Sequence, residues 1–137
     1  SVEYNLILFS RLFKIPRSRV ETSLKEFSLQ SFRNSKIRDQ SKGLRQRVSI
    51  ARSLLADPSL LLFDEPTSGL DFEMTKEVYY LLKEFHGAGK TILFTSHRPE
   101  EIKSLATRIM VLHQGSVVFD GEPAAYFESP IHQALYS

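Results

Sequence analysis

A short apolar run that ends in two acids is the feature that most constrains this chain. Leu60-Leu61-Leu62-Phe63 is followed directly by Asp64-Glu65 and then by Pro66. A short apolar run bounded by turn residues favours a strand buried on both faces, as in a parallel sheet. Ligands of open α/β sheets bind at the carboxyl ends of the strands. The two acids therefore either belong to a ligand site or cap the next turn.

The rest of the chain divides into two regions of different periodicity. Residues 1–57 carry helical patterns and are predicted to form a helical subdomain, whereas residues 58–137 alternate strand and helix. The predicted helices span 2–13, 17–27, 44–56, 72–85, 99–106 and 123–127, the last of which is expected to close the chain. The predicted strands are 60–64 and 91–95, buried and parallel, and 109–112 and 117–119, which form a hairpin. This order predicts an α/β fold whose parallel sheet carries a small antiparallel edge.

Composition removes several classes of protein. The chain is 42% hydrophobic with a net charge of +2, so it is neither typical of disorder nor of a concentrated basic nucleic-acid surface. It has no cysteine, which excludes disulfides and thiolate metal sites. No apolar run approaches the roughly 20 residues that span a bilayer, so a membrane role would require a partner.

The two acids suit phosphate chemistry if they form a site. Asp64 can hold Mg²⁺ on nucleotide phosphates through water, and Glu65, which points elsewhere along the strand, can polarise an attacking water. His97 follows the predicted strand 91–95 and is either a structural histidine or a donor that faces the phosphates.

Two further segments have both a structural and a functional interpretation. Ser41-Lys42-Gly43 precedes the predicted helix 44–56, where backbone N–H groups and the helix dipole can bind phosphate, or where the serine is a plain cap. Asp71 can cap the helix that begins at Phe72 while its loop faces a partner.

Four motifs in sequence order resemble those of ABC-type ATPases. Residues 41–47 are similar to the signature, 60–66 to the Walker B strand, 68–71 to the D-loop and 95–97 to the switch histidine. Residues 1–6 resemble the segment after the family's glutamine loop, and residues 120–123 resemble the end of the domain. The resemblance implies a partial P-loop NTPase fold with a helical signature subdomain, similar to bacterial exporter ATPase subunits.

The resemblance also implies roles for the candidate residues. Asp64 would hold Mg²⁺, Glu65 would be the catalytic base and His97 would contact the γ-phosphate of ATP. The signature residues would clamp the ATP bound by the opposite subunit, and Asp71 would communicate across that interface. The signature residues concerned are Ser41, Lys42, Gly43 and Leu44. Gln40, Lys42 and Leu44 depart from the family's usual Leu-Ser-Gly-Gly-Gln, and the resulting Ser-Lys-Gly form resembles some bacterial exporters.

The Walker A loop of the family is missing from the sequence. Gly87-Ala88-Gly89-Lys90-Thr91 is a poor substitute, because it follows a predicted helix and opens a predicted strand, the reverse of a P-loop. In the family, Walker A precedes the segment that resembles residue 1. The chain is therefore expected to be a fragment, the carboxyl-terminal three fifths or so of a domain, and to be inactive alone.

The resulting expectation is an ATP-binding and ATP-hydrolysing subunit of an ABC transporter, with a preference for export. Its expected partners are ATP with Mg²⁺, a second ATPase subunit and a transmembrane permease, which would hold it at the cytoplasmic face of the membrane. The groove between the helical region and the sheet, with the exposed part of helix 2–13, is expected to dock the permease. The alternatives are a soluble ABC-type ATPase acting on ribosomes or DNA, and a non-catalytic interaction module; no nucleic-acid partner is expected.

Overall fold

The computed structural model describes residues 1–136 and divides the chain into two compact units. The first ends at Thr95 and the second begins at Ser96. The first unit contains helices α1 (Val2–Leu12), α2 (Ser18–Glu26), α3 (Lys42–Ser53) and α4 (Phe72–Gly87), and strands β1 (Leu60–Asp64) and β2 (Thr91–Thr95). The second contains α5 (Pro99–Leu105), β3 (Ile109–His113), β4 (Ser116–Gly121), α6 (Pro123–Phe127) and α7 (Pro130–Tyr136). The predicted boundary at residue 57 is a different division and stays a prediction.

The helical region holds most of the core of the first unit. The apolar positions predicted to point inward on α2 and near the end of α3 are buried. They are Val20, Leu24, Phe27, Val48, Ala51, Leu54 and Leu55. On α1, Val2 and Leu6 are buried as predicted, but Phe13 is exposed because the helix ends at Leu12 and the backbone turns there. Short 3₁₀ turns at Gln30–Phe32 and Ile37–Asp39 occupy the polar stretch before α3.

An arginine in that polar stretch ties the first two helices together. Arg33 donates hydrogen bonds to Glu3 on α1 at 2.6 Å and to Glu21 on α2 at 2.9 Å. These bonds raise the pKa of Arg33, and the same hydrogen bond holds the pKa of Glu3 below its ordinary value of 4.5. The Glu3–Arg33 pair therefore favours the folded state while Glu3 is ionised.

This cluster predicts an acid-dependent difference in stability. Because the pKa of folded Glu3 is lowered, its contribution is fully present above pH 4.5 and is lost as the pH falls below that value. Arg33→Gln should therefore lower the melting temperature near neutral pH. The difference in melting temperature between the variant and the unsubstituted protein should narrow in acid. Arg38→Gln is the matched control, since Arg38 forms its ion pair within residues 1–136 with its exposed neighbour Asp39. A difference in melting temperature between the Arg33→Gln variant and the unsubstituted protein that stays constant from pH 7 to pH 3 would contradict this account.

The parallel strand pair is confirmed, but its predicted burial is wrong. β1 and β2 pair in parallel with Leu60 opposite Thr91 and Asp64 opposite Thr95. Successive side chains of a strand point to opposite faces of the sheet, and only one face of this pair is covered. Leu61 is 2% exposed, whereas three leucines on the other face are 50% to 67% exposed. They are Leu60, Leu62 and Leu93.

The second unit is built on the predicted hairpin. β3 and β4 pair antiparallel through Gln114 and Gly115, which both have positive φ, as a two-residue type I′ turn requires. The pair forms a sheet separate from β1 and β2, so the expected antiparallel edge on the parallel sheet is wrong. The chain also continues into α7 after α6, contrary to the expectation that α6 closes it.

Candidate active site

The parallel register brings the acids of β1 to the end of β2. Asp64 lies opposite Thr95, and Glu65 continues the ladder by donating its backbone N–H to the Thr95 carbonyl oxygen at 3.2 Å. Both carboxylate side chains are exposed. The sequence placed the acids at the carboxyl edge of a parallel pair, and in this the structure agrees.

Thr95 joins the two acids through one hydroxyl and was not identified from the sequence. Its Oγ1 donates a short hydrogen bond to Oδ1 of Asp64 and accepts one from the backbone N–H of Glu65 at 3.1 Å. The available signal was the strand register, since two parallel five-residue strands that begin together place the fifth residues side by side.

Glu65 has an unusual backbone. Its φ is +44°, in the left-handed region that costs a residue with a Cβ about 1–2 kcal/mol. The backbone N–H bonds to Thr95, and the carbonyl oxygen accepts from Ser68 N at 3.0 Å. The strand therefore ends in a sharp turn, and Glu65 begins it with an exposed side chain.

His97 belongs to the second unit. The hydroxyl of the preceding Ser96 accepts a hydrogen bond from the backbone N–H of Arg98 at 3.0 Å and donates to the buried carboxylate of Glu101. These bonds fix the turn that carries His97, whose side chain is exposed. The convergence of His97 with Asp64 and Glu65 stays a prediction.

The signature-like segment opens α3. Ser41 is the N-cap, and its hydroxyl accepts a hydrogen bond from Leu44 N at 3.2 Å. Ser41 and Lys42 are exposed, whereas the side chain of Leu44 lies in the core. The plain capping role is therefore present, and the exposed pair remains available to a ligand.

Gly43 is buried, whereas a residue that clamps the ATP of an opposite subunit is expected on an exposed face, so this expectation is wrong for the glycine. A Cβ at Gly43 would lie 2.3 Å from Cε and 2.9 Å from Cγ of Met74. The physical reason is the side chain of Met74 on α4, which reaches over Gly43 and occupies the space that a side chain there would need. An ion pair between Arg47 and Glu77 holds the same two helices one turn further along.

The D-loop-like turn packs against the signature-like segment. Asp71 caps α4 by accepting a hydrogen bond from Met74 N at 2.9 Å, which confirms its predicted capping role. Gly69 has a φ of +65°, and a Cβ there would lie 2.1 Å from Nζ of Lys42. The ammonium of Lys42 therefore rests on this turn within the same chain.

The glycine-rich segment 87–91 is a turn between α4 and β2, as predicted. Gly89 has a φ of +86°, and Lys90 donates to the Asp57 carboxylate at 2.6 Å and to the Pro58 carbonyl at 2.9 Å. This lysine is engaged in holding the start of β2 to the segment before β1.

The donor set suits a nucleotide-bound Mg²⁺ more than a protein-caged ion. Asp64 offers an exposed carboxylate at the carboxyl edge, and no group of three His, Cys, Asp or Glu within residues 1–136 is placed to hold a metal. Mg²⁺ usually keeps several waters and binds through one or two carboxylates together with substrate phosphates.

Two open grooves indent the first unit. One, of about 760 Å³, lies between the helical region and α4 and is lined by residues 14–16, 19, 26–27, 54–57, 81, 84–85 and 90. The other, of about 500 Å³, is lined by residues of α1 and by Lys36, Ile37 and Arg38. The exposed α1 side chains Tyr4 and Leu8 line the second groove and not the first.

None of the helices within residues 1–136 has the length and the apolar character of a membrane span.

Comparisons with known proteins agree with the fold. The chain is 37% identical over 129 residues to the ABC transporter ATP-binding protein NatA of Bacillus subtilis, covering 91% of this chain and 52% of that protein. It is 38% identical over 135 residues to the Nod factor export ATP-binding protein I of Rhizobium johnstonii, covering 96% and 43%. It is 40% identical over 114 residues to the arginine transport ATP-binding protein ArtM of Bacillus subtilis, covering 83% and 48%. The chain thus spans about half the length of these relatives.

A solved structure and a family model also match most of the chain. A structure titled "An inward-facing conformation of a putative metal-chelate type ABC transporter" matches with a TM-score of 0.88 and 25% identity, covering 99% of this chain and 58% of that chain. Residues 7–103 match the family model described as "AAA domain, putative AbiEii toxin, Type IV TA system". The chain therefore belongs to the AAA-domain family of this model and to the ABC-type ATP-binding domains.

Proposed function

We propose that this chain is part of the ATP-hydrolysing subunit of an ABC membrane transporter. The observation that carries the proposal is the pair Asp64-Glu65 at the carboxyl end of β1, directly beside the end of β2. Asp64 would hold Mg²⁺ through water, and Glu65 would take a proton from the water that attacks the γ-phosphate. His97 would donate to that phosphate. Mg²⁺ would supply charge neutralisation on the phosphate oxygens.

The signature-like residues would act on the nucleotide of a second ATPase subunit. Ser41 and Lys42 are exposed and can reach a partner, while Gly43 leaves room for the side chain of Met74. Leu44 contributes its backbone N–H to the Ser41 cap and its side chain to the core. Since Lys42 rests on Gly69, the signature-like segment and the Asp71 loop would meet the partner as one body.

The uncovered face of β1 and β2 supports the proposal that the chain is a fragment of a domain. Three leucines on this face are at least half exposed, and such an apolar surface is costly in water. In the proposed complete domain, the segment that carries Walker A would cover it. The half-length match to the relatives points the same way.

Export is the proposed direction. The Nod factor export proteins are among the relatives, and the Ser-Lys-Gly form at residues 41–43 resembles exporter subunits. The subunit would sit at the cytoplasmic face of the membrane through its permease. Inverted vesicles test the direction, because their cytoplasmic face is outside and an exporter moves its substrate into the lumen. ATP-driven movement of substrate only out of the lumen would exclude export and leave the ATPase proposal intact.

The proposed permease site is the groove beside α1. Its lining includes the apolar side chains of Leu8 and Ile37 and the cations Lys36 and Arg38. The double variant Lys36→Glu and Arg38→Glu should therefore weaken docking, so that transport falls more than ATP hydrolysis while ATP binding persists. Lys25→Glu, an exposed lysine on α2 outside this groove, is the control. Transport and hydrolysis that fall together, or not at all, would argue against this surface.

A binding assay tests the ATPase proposal itself. The complete protein that contains this chain should bind ATP in the presence of Mg²⁺ and release phosphate, and the release should require Asp64 and Glu65. A complete protein that binds no nucleotide would leave the non-catalytic interaction module as the better interpretation.

A further inference from the structure

The hydroxyl of Thr95 forms hydrogen bonds to both acids of the candidate site. Its hydroxyl carries one proton, and that proton points to Oδ1 of Asp64. The hydroxyl oxygen must then accept, and it does so from the backbone N–H of Glu65 at 3.1 Å. The two bonds fix the rotation of the hydroxyl and link the side chain of one acid to the main chain of the other.

The first bond orients the carboxylate of Asp64. Oδ1 is held toward β2, so Oδ2 would be the oxygen left for a metal-bound water. An orienting hydrogen bond of this kind restricts a carboxylate that would otherwise rotate freely at an exposed position, so less conformational entropy is lost when the metal binds.

The second bond supports the turn that carries Glu65. The residue has a φ of +44°, and a strained backbone persists only where surrounding contacts over-determine it. The N–H of Glu65 is shared between the hydroxyl and the carbonyl oxygen of the same threonine. Removing the hydroxyl therefore loosens the turn without removing the last bond of the strand ladder.

We infer that Thr95 is a positioning residue of the nucleotide site, which sets the direction of the Asp64 carboxylate for Mg²⁺ and of the Glu65 backbone for catalysis. The inference rests on the proposed ATPase function. The inference adds to that function a residue that would touch neither the nucleotide nor the metal and would act through Asp64 and Glu65.

The test uses the complete protein that contains this chain and the isosteric change Thr95→Val, which removes the hydroxyl and keeps the branched shape. We expect the dissociation constant of Mn²⁺ in the presence of ATP, measured by electron paramagnetic resonance, to rise up to about 10-fold, the lower end of the effect of losing a partner of a direct metal ligand, because Asp64 would reach the metal through water. The turnover number should fall as well, whereas the KM for ATP at saturating metal should change little. Thr95→Ser keeps the hydroxyl and should restore the metal affinity.

Thr91→Val is the matched control, because Thr91 lies at the opposite end of the same strand, opposite Leu60. It removes the same hydroxyl far along β2 from the acids and should leave the metal affinity unchanged. Melting temperatures in the absence of nucleotide separate positioning from folding, and Thr95→Ala provides a second hydroxyl-free variant if the valine variant is unstable.

The outcomes separate this inference from the proposed function. Unsubstituted protein that binds Mn²⁺–ATP, together with valine and alanine variants that bind it equally well, would overturn the role of Thr95 alone. A lower melting temperature with unchanged metal affinity would also overturn it, since that is the signature of a purely structural residue. Unsubstituted protein that binds no Mn²⁺–ATP would instead overturn the proposed function.

Discussion

Glu65→Gln should slow ATP hydrolysis by the complete protein about 10²–10⁴-fold, the usual contribution of a general base. The carboxylate lies at the exposed end of β1, where it can accept a proton from water. Gln has the same length and can keep the same backbone, so the left-handed turn at this position carries the same cost in both proteins. ATP binding and dimerisation should therefore persist. Steady-state phosphate release and nucleotide-binding titrations measure the two properties separately.

Glu128→Gln is the control for this experiment, because it removes an exposed carboxylate from the second unit, remote in sequence from the acids. It should leave the turnover unchanged. If Glu65→Gln also leaves the turnover unchanged, the catalytic base is another group. If it abolishes ATP binding, the carboxylate has a role in binding that the proposed mechanism does not include.

The 137-residue chain alone should release no phosphate from ATP above the uncatalysed background, while the complete domain should do so as a dimer. Catalysis of phosphoryl transfer is mostly positioning and charge stabilisation, and a nucleotide that no phosphate loop anchors cannot be positioned. In a dilution series of the complete protein, the rate of phosphate release should rise more steeply than the protein concentration over the range in which the dimer forms. Phosphate release by the purified chain would contradict the proposal directly.

Subunit mixing tests the arrangement in trans. Glu65→Gln removes the proposed base, and Ser41→Arg blocks the proposed clamp that serves the other subunit. If Ser41 acts across the dimer, a heterodimer of the two variants contains one site with an intact Glu65 and an intact Ser41. Mixing two inactive variants should then restore measurable hydrolysis. Continued inactivity of the mixture, with heterodimers present, would place the signature and the base in the same subunit's site.

The sequence predicted those features that depend on local pattern. The apolar run 60–63 and the five residues 91–95 identified both parallel strands, and capping chemistry identified Asp71. α7 was missed although Ser129 and Pro130 are a good cap and first residue for a helix, and Ser129 does accept from His132 N.

The features that were missed or wrong depend on packing between distant segments. The burial of Gly43 follows from its distance to Met74, which no local pattern encodes. The role of Thr95 follows from the register of β1 and β2, which brings it beside Glu65, a residue 30 positions earlier in the sequence. The exposure of Leu62 and Leu93 follows from what covers a sheet face, whereas an apolar run indicates only that the face is suited to burial.

The backbone of Glu65 has a consequence for protein engineering. Glycine adopts a positive φ without steric cost, and asparagine does so more readily than most residues, so either would relax the turn at this position. A screen that selects for thermal stability alone would therefore tend to exchange the proposed base for a residue that cannot accept the proton. Stabilised versions of this domain are best sought at positions with ordinary backbone angles, with residue 65 held constant, because here resistance to heat and turnover are opposed.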